Sequence, residues 1–374
     1  MKKGWEYKTL EEACNVQYGT RVVRNKVLGT EYPVYGGGGE TFRIDRYNRE
    51  NCVVVARFAM SKQCTRFVKG KFFLNDSGLT VSPKESVGLT IELLEKYLIA
   101  YNDLIYSFGR GSAQRNLNMA EFRTMPISFP KDIAEQRRIV SYLDSSFDLI
   151  DKIKENASKS LSEAKALFQS ALAEAMEPKE GWEEKTLGEI CFIARGGSPR
   201  PIKNFITEDK SGIPWIKIGD TEIGGKYIYT TKEKIKREGI KSSRYVKKGD
   251  FLLSNSMSFG RPYILKTDGC IHDGWLVLQN FGKTFLEDFL YYLLLSQKVQ
   301  KQFDALAYGS TVRNLKTDSV SKVIVSYPSL STQKQIVSRL DSLSSKVRAI
   351  EEKCQKMIAE CDALKQAMLR EVFE

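Results

Sequence analysis

The sequence predicts an α+β protein: two similar globules, each a mixed and mainly antiparallel sheet with helices, separated by two long antiparallel coiled-coil helices in a pseudo-twofold internal repeat. The first observation behind this is that the chain is written twice. Gly4-Trp5-Glu6-Tyr7-Lys8-Thr9-Leu10 returns as Gly181-Trp182-Glu183-Glu184-Lys185-Thr186-Leu187. Gly111-Ser112-Ala113-Gln114-Arg115-Asn116-Leu117 returns as Gly309-Ser310-Thr311-Val312-Arg313-Asn314-Leu315, and Gln136-x-x-Ile139-Val140-Ser141 as Gln333-x-x-Ile336-Val337-Ser338. The second observation is a change of apolar period inside each copy, from short β-branched runs to steps of three and four. At 374 residues there is room for two ordinary domains and their connections. A duplication of this size gives two similar ends, which suit a target that itself has two parts.

The elements follow in order. Residues 1–131 form a first globule with Gly-rich turns, the run Cys52-Val53-Val54-Val55 and one helical stretch near 90–103. An apolar–Asp–Gly strand segment, Phe73 to Leu79, precedes that helix, and the apolar strand Ile127-Ser128-Phe129-Pro130 closes the globule. Residues 132–177 read as a long helix with Asp132 as N-cap candidate; Pro178 and Gly181 mark where it must stop. Its stripe runs through Leu143, Ile150, Ile153, Ala157, Ala164, Leu167 and Ala171.

Residues 178–329 repeat the globule, with a helical stretch near 285–304, the strand segment Cys270 to Leu276 and the closing strand Val325-Ser326-Tyr327-Pro328. Residues 330–374 repeat the helix, with Ser329, Ser331 and Thr332 as N-cap candidates. Its seam is Leu340, Leu343, Val347, Ile350, Cys354, Met357, Cys361, Leu364 and Met368. The alanines of the first helix are expected opposite the larger residues of this second seam. Parallel helices would place both globules near one end. A helix rising about 1.5 Å per residue over some 40 residues favours the antiparallel alternative. A plain dimerisation stalk is the competing use of the same helices.

Composition narrows the function. A net charge of +12 favours a polyanionic partner, nucleic acid first. Seven cysteines without a Cys-x-x-Cys pair, and a single histidine, His272, argue against a zinc site and for reduced thiols in a cytoplasm. Met1-Lys2-Lys3 runs into Gly4-Trp5 with no apolar region, and the longest apolar run, Phe289 to Leu295, is too short for a bilayer. The expectation is a soluble, cytoplasmic protein with no membrane partner.

The motifs argue against catalysis. Gly36 to Gly39 lacks a following Lys-Ser/Thr, and Gly225 stands where Walker spacing from Gly219 and Gly224 requires lysine. There is no Asn-Pro-Pro-aromatic or Asp-Pro-Pro-aromatic tetrapeptide and no nuclease carboxylate pattern. His272, in Cys-x-His-Asp-Gly-Trp, reads as part of a strand rather than of a nucleophile elbow. Recognition chemistry remains. Lys232 to Lys248 carries eight Lys/Arg residues, Lys247 among them, suited to phosphate contact or to a solvated helical face. Loops mixing amide, hydroxyl and guanidinium groups are the candidates for reading base edges. They contribute Arg57 and Lys62; Arg110, Gln114, Arg115 and Asn116; Lys217; Asn255, Ser256 and Arg261; and Arg313 and Asn314. The Asn of Arg-Asn-Leu equally suits a structural turn.

Two globules, each followed by a long helix opening on Gln-x-x-Ile, resemble the DNA-specificity subunit of type I restriction–modification systems along the whole chain. The motifs that carry the resemblance are Gly-Trp-Glu-x-Lys-Thr-Leu, Gly-Ser-x-x-Arg-Asn-Leu, and Ala134-Glu135-Gln136-Arg137-Arg138-Ile139-Val140. Ile213 to Asp220 and Phe259-Gly260-Arg261-Pro262 add to them. The family usually has Pro-Asn-Leu where this chain has Arg-Asn-Leu, and more proline than Pro130-Lys131-Asp132-Ile133. The resemblance implies a non-catalytic subunit that reads double-stranded DNA, one globule per half of a bipartite site. It also implies that the helices dock two methyltransferase subunits carrying S-adenosylmethionine, joined by restriction (motor-nuclease) subunits using ATP and Mg. Three readings compete: a specificity subunit whose partner fuses methyltransferase and nuclease, a coiled-coil interaction protein unrelated to DNA, and an enzyme built around His272.

Overall fold

The computed structural model describes residues 2–24, 29–222, 224–255, 259–307 and 314–374. The chain divides into two compact units, Met1–Lys159 with Lys353–Glu374, and Ser160–Glu352.

In the first unit the opening strand Trp5–Thr9 pairs antiparallel with the closing strand Pro126–Pro130, so the globule is zipped at its own ends. The backbone N–H of Thr9 donates to the Glu12 carboxylate at 2.7 Å and the N–H of Glu12 donates to the Thr9 hydroxyl at 3.3 Å, a capping box that turns the chain into its core. The second unit repeats this: Glu183–Thr186 pairs with Ile324–Tyr327, and the N–H of Thr186 donates to Glu189 at 2.7 Å. Leu10 and Leu187, which follow the caps, are both fully buried. Gly-Trp-Glu-x-Lys-Thr-Leu is therefore a strand, a cap and a core anchor in one segment.

The first globule's sheet has six strands, in the order Cys14–Tyr18, Gly78–Pro83, Arg49–Ala56, Thr65–Leu74, Tyr32–Gly36 and Gly39–Ile44. Val53 and Val55 face one cluster with Leu93, Leu94 and Leu98, while Val54 faces another with Phe72. Burial on both faces is why the run Val53-Val54-Val55 shows no polar alternation. The second globule has two five-stranded sheets. One runs Phe192–Arg195, Trp275–Gln279, Phe251–Ser254, Pro262–Leu265, Tyr227–Ile228. The other runs Ile206–Thr207, Glu233–Ile235, Ile213–Ile216, Gly269–Ile271, Arg244–Val246.

Three local expectations are corrected. Each single helical stretch is two short helices, Ile91–Ala100 with Asn102–Ser107, and Glu287–Leu295 with Gln297–Leu306. The apolar–Asp–Gly segments are strand, turn and strand. The N–H of Ser77 donates to Asn75 Oδ1 and that of Gly274 to His272 Nδ1, both at 2.8 Å, and these local bonds replace the ladder. The basic run Lys232–Lys248 is strand, 3-10 turn and strand rather than a helical face.

The long helices are Ile133–Ala175 and Leu330–Phe373. Asp132 Oδ1 accepts from the N–H of Ala134 at 3.0 Å and Ser329 Oγ from that of Thr332 at 3.4 Å, capping both. In the first unit Asp151 pairs with Lys365 and Lys154 with Asp362, both at 2.6 Å; in the second, Lys165 pairs with Glu351 at 3.7 Å and Glu174 with Arg339 at 3.3 Å. Numbers rise on one helix as they fall on the other, so the helices are antiparallel within each unit. Among the described residues no helix is long and apolar enough to cross a membrane.

The seam is narrower than the heptad reading predicts. In the first unit it buries Leu143, Ile150 and Ala157 against Cys354, Cys361 and Leu369; in the second it buries Ala164 and Leu172 with Leu340 and Val347. Leu343 is half-buried, and Ile153, Leu167, Ile350, Met357 and Leu364 are exposed, the last at 51%. One row per heptad is buried, and it mixes small residues, Ala157, Ala164, Cys354 and Cys361, with large ones such as Leu143, Ile150, Leu340 and Val347. Ala157 thus shares its unit's seam with Cys354 and Cys361 as well as larger residues, Ala164 shares its own with Leu340 and Val347, and the second apolar row is left largely exposed.

Each long helix is pinned at its first turn by a buried glutamine. Gln136 Oε1 accepts from the N–H of Thr90 at 2.8 Å, while its Nε2 donates to Gly88 O at 2.6 Å and Pro130 O at 2.7 Å. Gln333 Oε1 accepts from the N–H of Leu286 at 3.0 Å, and its Nε2 donates to Thr284 O at 2.8 Å and Pro328 O at 2.9 Å. Both are fully buried. Replacing Gln136 or Gln333 by Leu strands one N–H and two carbonyls, so each change should cost about 3 kcal/mol in urea unfolding. Loss of less than about 0.5 kcal/mol would show that the clasp is dispensable.

Candidate nucleic-acid interface

In the first globule four segments meet at the ends of the central strands: Gly19-Thr20, Arg57–Met60, the turn Asn75–Ser77, and Arg115–Leu117. The N–H of Gly19 donates to Gly78 O at 3.0 Å, that of Arg57 to Ser77 O at 2.8 Å, and that of Leu117 to Arg57 O at 2.8 Å. The second globule builds the same frame. There the N–H of Gly196 donates to Trp275 O at 2.9 Å, that of Asn255 to Gly274 O at 2.9 Å, and that of Leu315 to Asn255 O at 2.8 Å. Glycine is required where the first segment crosses the turn: an added Cβ would lie 1.9 Å from Asn75 O at Gly19 and 2.2 Å from His272 O at Gly196. Arg57 and Asn255 therefore hold the same place in two copies of one scaffold.

The side chains on the first frame differ in freedom. Arg57 is half-buried, its guanidinium 4.6 Å from the ring centroids of both Tyr18 and Phe58. Arg115 lies over Tyr106 at 4.5 Å and donates to Gly109 O at 3.0 Å. Arg110 is tied to Glu121 at 2.5 Å. Asn116 Oδ1 accepts from the N–H of Ala59 at 3.3 Å, which fits the turn-holding role open to Arg-Asn-Leu, although the residue is exposed. Lys62 and Gln114 are exposed on the same loops.

On the second frame, Asn255 is 2% exposed. Its Nδ2 donates to Asp273 O at 2.8 Å, and its Oδ1 has no partner among the described residues. It joins the turn to the Arg-Asn-Leu segment, so an exposed base-reading role is corrected to a structural one. Arg261 is exposed, its N–H donating to Ser254 Oγ at 3.0 Å to close the loop. Lys217 is paired with Glu233 at 2.6 Å and lines a cavity with Ser198 and His272. Lys247 is exposed, its backbone N–H held by Asp250 at 2.8 Å. Asn314 lines a polar cavity of about 370 Å³ with Arg195, Asn255 and Lys316. Ser256 and Arg313 lie outside the described residues.

Sequence reasoning missed Tyr18, Arg195 and the two crossing glycines. Arg195 Nε donates to Asp273 O at 3.0 Å, locking the turn from the other side. The only signal was the copy alignment itself, which sets Gly19 opposite Gly196. Burial pushes the His272 imidazole below its ordinary pKa, and its Nδ1 is occupied by the N–H of Gly274. At Asp273 burial opposes ionisation, but the Ser198 hydroxyl and neighbouring positive charge hold the carboxyl below its ordinary value. Both residues serve the turn.

Asn255→Ala should lower the unfolding free energy by about 1 kcal/mol, because it removes one of the two donors to Asp273 O and leaves Arg195 Nε as the other. Arg261→Ala should leave stability within about 0.5 kcal/mol while weakening DNA binding. Thermal unfolding beside a binding titration separates the two. If Asn255→Ala altered base preference at unchanged stability, Asn255 would return to the reading surface.

The sequence matches the family described as "Type I restriction modification DNA specificity domain" over residues 2–162 and again over 179–359. A putative type I restriction enzyme specificity subunit of Haemophilus influenzae is 26% identical over 358 residues, covering 93% of this chain and 89% of that one. The MjaIX type I restriction enzyme specificity subunit of Methanocaldococcus jannaschii is 28% identical over 169 residues, 44% of this chain and 38% of its own. Among solved structures, a chain from a type I R-M system studied for complex assembly and conformational transition superposes with a TM-score of 0.78 at 19% identity, covering 100% of this chain and 98% of that chain. The HsdS subunit of Thermoanaerobacter tengcongensis superposes with a TM-score of 0.51 at 19% identity, covering 100% of this chain and 97% of its own. With two copies of the family's domain filling most of its length, the chain belongs to the type I restriction–modification DNA specificity family.

Proposed function

We propose that this chain is the non-catalytic, sequence-specific DNA-binding subunit of a type I restriction–modification complex, each globule reading one half of a bipartite target. The observation that carries the reading is the repeated loop frame: one backbone hydrogen-bond pattern displays Arg57 in one copy and holds a buried, structural Asn255 at the same place in the other. A common scaffold with different side chains is what two readers of different half-sites require. Exposed lysines such as Lys62 and Lys247 supply charge for phosphate contact. Methylome sequencing of a host expressing the chain with its cognate methyltransferase tests this. Exchanging residues 1–131 for the same segment of another specificity subunit should change one half of the methylated motif only. A change in both halves, or in neither, would refute modular reading.

The partners follow as part of the proposal. Two methyltransferase subunits, carrying S-adenosylmethionine, dock on the long helices, and restriction subunits using ATP and Mg complete the complex. The support is the apolar row left outside the seam: Leu149, Ile153 and Leu364 in the first unit, Leu167 and Ile350 in the second. Leu149→Glu with Ile153→Glu should leave the melting temperature unchanged and reduce co-purification of the methyltransferase at least tenfold. Undiminished co-purification would move the docking face elsewhere.

A further inference from the structure

We infer that Arg57 is a specificity-determining residue of the first globule and that it reads a guanine. The inference rests on the DNA-reading function proposed above. Arg57 follows the strand Arg49–Ala56, and its own backbone is fixed on both sides, by Ser77 O at 2.8 Å and by the N–H of Leu117 at 2.8 Å. Its guanidinium carbon lies 4.6 Å from the Tyr18 ring centroid and 4.6 Å from that of Phe58. Two aromatic rings hold the guanidinium carbon between them and leave its N–H edges unspent. Among the described residues that guanidinium has no hydrogen bond and no ion pair, unlike Arg110, bound to Glu121, and Arg115, bound to Gly109 O. Tyr18 is 41% exposed, so burying the pair does not by itself explain the arrangement.

A guanidinium fork held between rings, with its parallel donors free, matches two acceptors side by side. In the major groove guanine alone presents that pair, O6 and N7. A phosphate also offers two oxygens to such a fork, but the exposed lysines already supply phosphate-contact charge, and base substitution together with salt dependence separates the two. At the same place in the second globule Asn255 is buried and committed to Asp273 O, so the two half-sites are read differently at this position.

The test uses the chain in complex with its methyltransferase. The residue 1–131 exchange first shows which half-site belongs to the first globule. In cells, Arg57→Ala and Arg57→Lys should each relax one guanine of that half-site to any base while every other position persists. In vitro, 7-deazaguanine, which lacks the N7 acceptor, is placed in turn at each guanine of that half-site. At one position it should weaken wild-type binding about 10- to 100-fold, and have little further effect on Arg57→Ala. The wild-type scan stands alone if the variants do not fold. A half-site without guanine, or a wild type indifferent to 7-deazaguanine at every position, overturns the inference. So does an Arg57→Ala complex that binds all sequences equally less well with a flatter salt dependence, the signature of a phosphate contact. If wild type methylated no bipartite motif at all, the proposed function would fail instead.

Discussion

A long helix that leaves a small globule needs a fixed direction, and in this protein one buried amide per copy supplies it. Gln136 and Gln333 each satisfy one N–H and two carbonyls, joining the first turn of the long helix to the closing strand and to the start of the globule's helix. An amide is suited to this because it both donates and accepts, whereas an apolar residue of equal size would leave three buried backbone groups unpaired. Two turns later a carboxylate adds a second fastening. Asp144 pairs with Lys96 in the first copy. In the second, Asp341 receives the Tyr292 hydroxyl at 2.5 Å and Lys226 at 2.9 Å. The partner changes from lysine to tyrosine, and Lys226 arrives from a segment outside that helix to restore the charge balance.

With the helix direction fixed, the loops are free to vary in side chain but not in backbone. Both copies hold their four segments with corresponding N–H to carbonyl bonds, and both use glycine where the first segment crosses the turn. The consequences diverge at the next atom out. Arg57 is displayed between two rings, while Asn255 is drawn inward and bonded. A scaffold that decouples backbone from side chain allows each copy its own preference without rebuilding the fold.

The helices divide their apolar residues between two tasks. One row, from Leu143, Ile150 and Ala157 to Cys354, Cys361 and Leu369, is buried, and a second row of apolar residues stays exposed. Leu149 is 62% exposed and Leu167 58%. Under the proposed function, partners docking on the helices would cover that face.

The sequence by itself determined the duplication, the two long helices and the segments that return in both copies, because periodicity and repetition are local properties of the chain. It also marked Gln136 and Gln333 as recurrent without revealing that they are buried. Tertiary structure decided the rest. Whether Ile153, Met357 and Leu364 enter the seam depends on how the two helices are turned toward each other, and the fold leaves all three exposed. Whether Asn255 or Arg57 faces outward depends on carbonyls far away in the sequence, at Asp273 and Ser77, and on the ring of Tyr18. Chemistry of side chains is legible residue by residue; their direction is set by contacts between segments that only the folded chain brings together.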